Sequence, residues 1–467
     1  MTRLIKAAFF FTLVSIHTVN AQTPDLARMT PEQRNEYFAK MRSASVADWQ
    51  KMMNLLDIKL PKLPPPEEDP KRPKNLTQKK GSTNWYDEAG YLYVRSDWGS
   101  WSNYDEKNTG EYTVPDPLVL KDGSPVNNAN SWWTKRRPEI LHDFLNEIYG
   151  NTPTNTPKVI FEVSAIDSHA LDGKAIRKIV TGRINLSRHP PTADTPGIQI
   201  TLYIPSIAVK PVPLIVTVGG FLGQTVLDQV IAAGWAIATV NTAAIQMDFG
   251  VGLHSGIIGF VNQGKDRKPD QWGVLAAWCW GLNRALDYFE KDKMINAGQI
   301  GIQGHSRWGK AALLAAALDQ RWAIVFSSCS GSLGSSLEKR NYGETIDNVA
   351  GAGEYHWMAG NFLKYAGHWQ DLPVDAHELI ALIAPRPVFI TGGTHDSWSD
   401  PRGEFLACVA AEPVYHLLGK KGLNPIDMPA PDQSLIDGDI AFREHEGGHT
   451  DLPDWPVFIE FAKKYFK

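Results

Sequence analysis

The stretch Gln299-Ile300-Gly301-Ile302-Gln303-Gly304-His305-Ser306-Arg307-Trp308-Gly309-Lys310 decides the fold class. Residues 299–303 read as a short strand, and residues from Lys310 to Asp319 read as a helix. Ser306 sits on the tight turn between them. Such a turn presents a serine hydroxyl above the carboxyl edge of a sheet. It also places that hydroxyl at a helix N-terminus, where free N–H groups can hold an oxyanion. The usual pattern is Gly-x-Ser-x-Gly; here the second glycine comes one residue late, at Gly309. Ser306 is the candidate nucleophile, and a serine that only caps the helix is the plainer alternative.

The same alternation extends in both directions. Pro213–Val218 and Trp235–Val240 are continuous apolar runs, as expected of strands buried on both faces. Further strands are expected at Lys158–Val163, Lys178–Arg183, Ile198–Ile204, Ala323–Ser327 and Pro387–Thr391. Helices are expected at Trp132–Tyr149, Gln224–Ala233, Trp272–Phe289 and Pro456–Tyr465. Strands alternating with helices imply an α/β fold: a mostly parallel central sheet with helices on both faces, as a three-layer sandwich.

Residues 1–21 read as an export leader. Arg3 and Lys6 form a basic start, Ala7–Ile16 is apolar, and Val19-Asn20-Ala21 fits cleavage after Ala21. Residues 22–114 form an N-terminal extension: a helical stretch from Pro31, a proline-rich linker at 60–70, and an aromatic insertion at 84–113. That insertion is expected chiefly as a strap over the outer surface; contact with the active-site rim is the alternative. The catalytic domain is expected over 115–467.

The chain has 467 residues, 43% of them hydrophobic and 21% charged, which fits a globular protein rather than a disordered one. A formal charge of −4 offers nothing to attract nucleic acid or an anionic membrane, and neither partner is expected. The three cysteines, Cys279, Cys329 and Cys408, lie in apolar sequence and are expected buried and unpaired.

A nucleophilic serine needs a base and an acid, in the order Ser, acid, His. His449, on the glycine-rich segment His445-Glu446-Gly447-Gly448-His449 before the last helix, is the candidate base. That segment also fits the His-Glu-x-x-His zinc pattern, but two glycines oppose the helix a zinc pair requires. His445 is read as a structural neighbour and no metal is expected. Asp396, just past the strand 387–391, is the candidate acid. Asp400 is its rival, but it precedes Pro401 and reads as a turn residue.

In this order these residues resemble the bacterial glucuronoyl esterases of carbohydrate esterase family 15, over about residues 115–467. The resemblance rests on Trp132-Trp133-x-Lys135-Arg136-Arg137-Pro138-Glu139-Ile140, Glu147-Ile148-Tyr149-Gly150 and Trp278-x-Trp280-Gly281-Leu282. It continues in Gly304-His305-Ser306-Arg307-x-Gly309-Lys310, Arg340-Asn341-x-Gly343-Glu344-Thr345, His356-Trp357 and Asp396-x-Trp398-x-Asp400-Pro401. It implies an α/β-hydrolase fold and hydrolysis of an ester between (4-O-methyl-)glucuronic acid of glucuronoxylan and a lignin alcohol. It implies an oxyanion role for Arg307, contacts from Lys310 and Glu344 to the sugar diol, and a wall against the uronate ring from Trp398; the plainer alternatives are an ion pair with a surface acid for Arg307, a solvated Lys310, a solvated Glu344 and a core Trp398. No cofactor is implied, and a monomer is expected. An acetyl xylan or feruloyl esterase of the same fold, or a non-catalytic carbohydrate-binding protein, are the alternatives. One departure stands out. Many members carry a Glu just beyond the strand after the nucleophile, whereas Ser327-Ser328-Cys329-Ser330-Gly331-Ser332 holds no carboxylate. That leaves Asp396 as the acid.

Overall fold

The computed structural model describes residues 29–79, 84–184, 195–423 and 427–467. The leader expected at residues 1–21 lies outside the described residues. Among them, no helix is long and apolar enough to cross a membrane.

Ten strands build one sheet: β1 (Val159–Ala170), β2 (Ala175–Ile184), β3 (Gly197–Pro205), β4 (Val212–Val218), β5 (Ala236–Val240), β6 (Ile295–His305), β7 (Ile324–Ser328), β8 (Val388–Gly393), β9 (Ser434–Leu435) and β10 (Ile440–His445). Their order is β9-β10-β8-β7-β6-β4-β5-β3-β2-β1. The six strands from β10 to β5 are parallel. β9 at one edge and β3, β2 and β1 at the other run antiparallel to their neighbours. The sheet is therefore mixed, with the parallel part at its centre.

The buried strands explain the layers. Side chains alternate between the two faces of a strand. Leu214, Val216 and Val218 of β4 join one core with Leu282 and Leu286 of α3 (Val274–Phe289), Leu313 of α4 (Arg307–Leu318) and Phe405 of α5 (Pro401–Leu417). Ile215, between them, joins the opposite core with Val226 and Val230 of α2 (Gln224–Ala232) and Trp455 and Phe458 of α6 (Trp455–Ala462). Each large apolar side chain fully buried this way contributes roughly 1.5–3 kcal/mol. The parallel strands end on one common edge, and β6, β8 and β10 deliver Ser306, Asp396 and His449 to it.

Among the described residues, the N-terminal extension holds one continuous helix, α1 (Pro31–Leu55). Thr30 and Gln33 form a reciprocal cap, and Pro31 occupies the first turn, where a missing N–H costs nothing. The aromatic insertion holds part of a small antiparallel sheet of Thr77–Gln78, Trp85–Tyr86 and Leu92–Tyr93. Leu76, Trp85 and Trp101 form its own core. β10 and α5 were not assigned from sequence. Arg443 and Glu444 interrupt the apolar run of β10, and α5 holds Pro413 in its interior, which masks a helical pattern.

Candidate active site

Ser306 closes β6 and caps α4 with φ 57° and ψ −133°, the strained backbone of an exposed turn apex. Its N–H donates to the Ser328 carbonyl at 2.8 Å. The turn needs small residues. A Cβ on Gly304 would lie 2.0 Å from the Trp308 carbonyl oxygen, and one on Gly309 would lie 2.8 Å from Ser327 Oγ. The late glycine thus serves close contact between α4 and the end of β7 with the residues just after it. The Arg307 N–H lies in the first turn of α4, where an α-helix offers no intrahelical acceptor.

His449 and Asp396 meet at the same edge. Nδ1 of His449 lies 2.7 Å from Oδ2 of Asp396. The carboxylate is buried, while the imidazole is half exposed. His305, which precedes the serine, places its ring centroid 4.4 Å from that of His449. Burial, and then the neighbouring His449, push the His305 pKa down to about 4, so it stays neutral at working pH. Asp400 is engaged elsewhere: its carboxylate accepts from Arg340 Nε at 2.9 Å and from the Gly403 N–H at 3.0 Å. His445 is fully buried with Nδ1 2.9 Å from Asp454 Oδ2. Residues 445–449 are a strand end and a glycine turn, so the two histidines do not share a helical face.

Cys329 fills the place where no carboxylate was found. Its thiol, the Asp396 carboxylate and an imidazole nitrogen of His449 lie within 4.8 Å of one another. Burial drives the thiol pKa well upward, so the group is a neutral thiol. All three cysteines are unpaired and buried.

Arg307 points along the edge and is tethered. Its Nη1 donates to Asp248 Oδ2 at 2.7 Å. Asp248 Oδ1 accepts from Trp357 Nε1 at 2.6 Å and from His356 Nε2 at 3.0 Å. Burial opposes ionisation of Asp248, but the His356 and Trp357 donors and the Arg307 charge hold its pKa down to about 2. Sequence reading missed Asp248, which lies far upstream in no recognisable motif. The Trp357 ring faces two cations, with the Arg307 guanidinium 4.9 Å and Lys310 Nζ 5.9 Å from its centroid.

Lys310 lies one turn along α4 from Ser306. Its ammonium donates to Glu344 Oε2 at 2.7 Å, with both side chains buried, and also to the Ser332 carbonyl. Glu344 itself is fixed through its N–H, which donates to the Trp398 carbonyl at 2.7 Å. Trp398 is half buried. Glu354, missed in the sequence, lies close enough to interact with Glu344, Lys310 and Arg307; burial, and then Glu344, raise its pKa to about 7.

The insertion expected as an outer strap also reaches this rim. Asn103 Nδ2 donates to the Asn341 carbonyl at 2.6 Å, and the Gly343 N–H donates to the Asn103 carbonyl at 2.9 Å. Tyr104 packs edge-on to Tyr342 with centroids 6.1 Å apart. The loop that carries Glu344 is therefore held from the N-terminal side.

A serine at a strained strand–helix turn and an Asp–His pair on the neighbouring strand ends define the class: an esterase of the α/β-hydrolase fold. A family model of fungal glucuronyl esterases matches residues 192–419. The chain is 35% identical over 402 residues to carbohydrate esterase MZ0003 of an unknown prokaryotic organism, spanning 77% of this chain and 91% of that protein. It is 28% identical to a 4-O-methyl-glucuronoyl methylesterase of Schizophyllum commune, over 66% of this chain and 74% of that one. A solved glucuronoyl esterase of carbohydrate esterase family 15 from Teredinibacter turnerae superposes with a TM-score of 0.75 at 36% identity, covering 90% of this chain and 99% of that one. The chain belongs to the glucuronoyl esterases of carbohydrate esterase family 15.

Proposed function

We propose that the protein cleaves the ester joining C6 of (4-O-methyl-)glucuronic acid in glucuronoxylan to a lignin alcohol. The buried Lys310–Glu344 pair beside the nucleophile carries this reading. Acetyl and feruloyl esters offer no sugar diol on the acyl side for a paired donor and acceptor to read. A site built to bond hydroxyls rejects analogues that lack them. The Schizophyllum commune relative is a 4-O-methyl-glucuronoyl methylesterase, which supports the same substrate class.

In this reading Ser306 Oγ attacks the C6 carbonyl. His449 Nε2 takes the hydroxyl proton and returns it to the leaving alcohol, which departs from the tetrahedral intermediate. Asp396, bonded to Nδ1, fixes the tautomer and stabilises the imidazolium. The Arg307 N–H and the guanidinium N–H groups not given to Asp248 receive the oxyanion. Water, activated by His449, then hydrolyses the acyl-enzyme. Trp398 walls the uronate ring. Residues 22–114 act as an extension that shapes the rim, residues 115–467 as the catalytic domain, and residues 1–21 as an export leader. The working unit is a monomer.

The test compares benzyl glucuronate, p-nitrophenyl acetate and methyl ferulate with wild type and Ser306→Ala. Turnover of the glucuronate that vanishes in the variant is the expected result. Serine-dependent turnover of only the acetyl or feruloyl ester would discard the substrate and keep the triad.

A further inference from the structure

Two separate segments hold Asp248, and hence Arg307. One is the chain from Asp248 to His254 itself; the other is Tyr355-His356-Trp357, whose last two side chains bond Asp248. Both are fastened to α1, far from them in sequence. On the first, the Val251 N–H donates to Ser45 Oγ at 3.1 Å, and His254 Nε2 lies 2.8 Å from Asp48 Oδ1. On the second, the Tyr355 hydroxyl donates to Asp48 Oδ2 at 2.5 Å and approaches the Ser45 carbonyl at 3.2 Å. Trp49 Nε1 donates to the Ala350 carbonyl at 2.9 Å, just upstream. One carboxylate, Asp48, thus bonds both segments at once, through its two oxygens. The ends of this bridge are buried or half buried, with the Arg267 guanidinium also near it.

An oxyanion donor acts through placement. A donor left free to swing before each turnover forfeits much of its advantage, because it must be ordered during the reaction. Arg307 is a long side chain, about two-fifths exposed; among the described residues it bonds one carboxylate, Asp248, and it lies over the Trp357 ring that also bonds Asp248. Its orientation therefore depends on Asp248, and that of Asp248 on the two segments.

We propose that Asp48 of the N-terminal helix is a positioning residue for the reaction: it locks the two segments that fix Asp248 and so orients Arg307 toward the oxyanion. This rests on the assignment of Arg307 to the oxyanion. The extension is in this view a working part of the esterase.

A double-mutant cycle on the full chain separates positioning from general stabilisation. The substrate is whichever ester shows Ser306-dependent turnover. Asp48→Ala is expected to lower kcat about tenfold with KM changed less than twofold. In an Arg307→Ala background the same substitution is expected to change kcat less than twofold, because nothing remains to be oriented. Equal loss in both backgrounds, or unchanged kcat with a lowered Tm, would overturn the proposal. Tyr355→Phe removes one hydroxyl and keeps the ring, so it decides by the same criterion if Asp48→Ala does not fold. If Arg307→Ala alone costs less than threefold in kcat, the oxyanion assignment fails and takes the proposal with it. A large Arg307 effect with additive Asp48 and Tyr355 losses rejects positioning alone.

Discussion

Oδ2 of Asp396 lies 2.7 Å from Nδ1 of His449, while Asp400, four residues further on, is fully buried against Arg340. Two carboxylates on one short loop thus have separate partners. Asp396→Asn is expected to reduce kcat by about 10³–10⁴, because the amide cannot hold the required tautomer or stabilise the imidazolium. Asp400→Ala should act on the fold instead. It takes from the buried Arg340 one of its two carboxylate partners, leaving Glu106, and removes the α5 cap, which costs about 1–3 kcal/mol. Single-turnover kinetics and urea unfolding of both variants distinguish the two roles; a catalytically silent Asp396→Asn would refute the first.

Cys329 borders Asp396 and His449. A carboxylate there would approach the same imidazole from the next strand end. Its backbone is already left-handed, with φ 47°, so replacing one unbranched side chain by another adds little strain. Cys329→Glu is therefore expected to restore at least tenfold of the kcat lost in Asp396→Asn. The acid position would then be shown to be exchangeable between the ends of β7 and β8. No gain in the double variant would mean that the Cys329 position cannot address Nδ1.

Lys310 and Glu344 form a buried pair, so removing one partner leaves the other without compensation. Lys310→Met is expected to cost about 3–5 kcal/mol in unfolding free energy, and Lys310→Met with Glu344→Gln distinctly less. On activity, Glu344→Gln should lower kcat/KM for benzyl glucuronate at least tenfold and leave p-nitrophenyl acetate within about twofold. Equal losses on both esters would show that the pair supports the fold rather than the sugar.

Glu404 and Glu338 are fully buried, and burial raises both pKa values to about 8. Oε1 of Glu404 accepts from the N–H groups of Ser330 and Gly331 and from Ser335 Oγ, while Oε2 has no partner. Those three donors favour the carboxylate, but full burial outweighs them and keeps the group protonated. The folded state keeps protons that the unfolded chain releases near pH 4.5. Stability is therefore full below that pH and declines as pH rises toward about 8. Tm should fall steadily between pH 5 and about pH 8, and Glu404→Gln, a neutral isostere, should flatten the slope. An unchanged slope in that variant would place the titration elsewhere.

Much of this was legible in one dimension because local patterns encode it. A parallel strand buried on both faces is a run of apolar residues, as in Pro213–Val218. The elbow around Ser306 needs small residues in fixed places, and those glycines can be read directly. The Gly-Gly turn before His449 likewise argued against zinc without coordinates. β10 and α5 were missed because Arg443 and Glu444 break the apolar run of β10 and because Pro413 interrupts the helix.

The sequence by itself determined the fold class and the family and named the candidate serine, acid and base, since each depends on neighbours along the chain. Only the tertiary structure decided which groups tether Arg307, that Cys329 borders the Asp–His pair, and that α1 grips the segments around Asp248. Those contacts join residues 59 to 310 positions apart. No local pattern encodes them, because the sheet and its loops create each one only when the chain closes on itself.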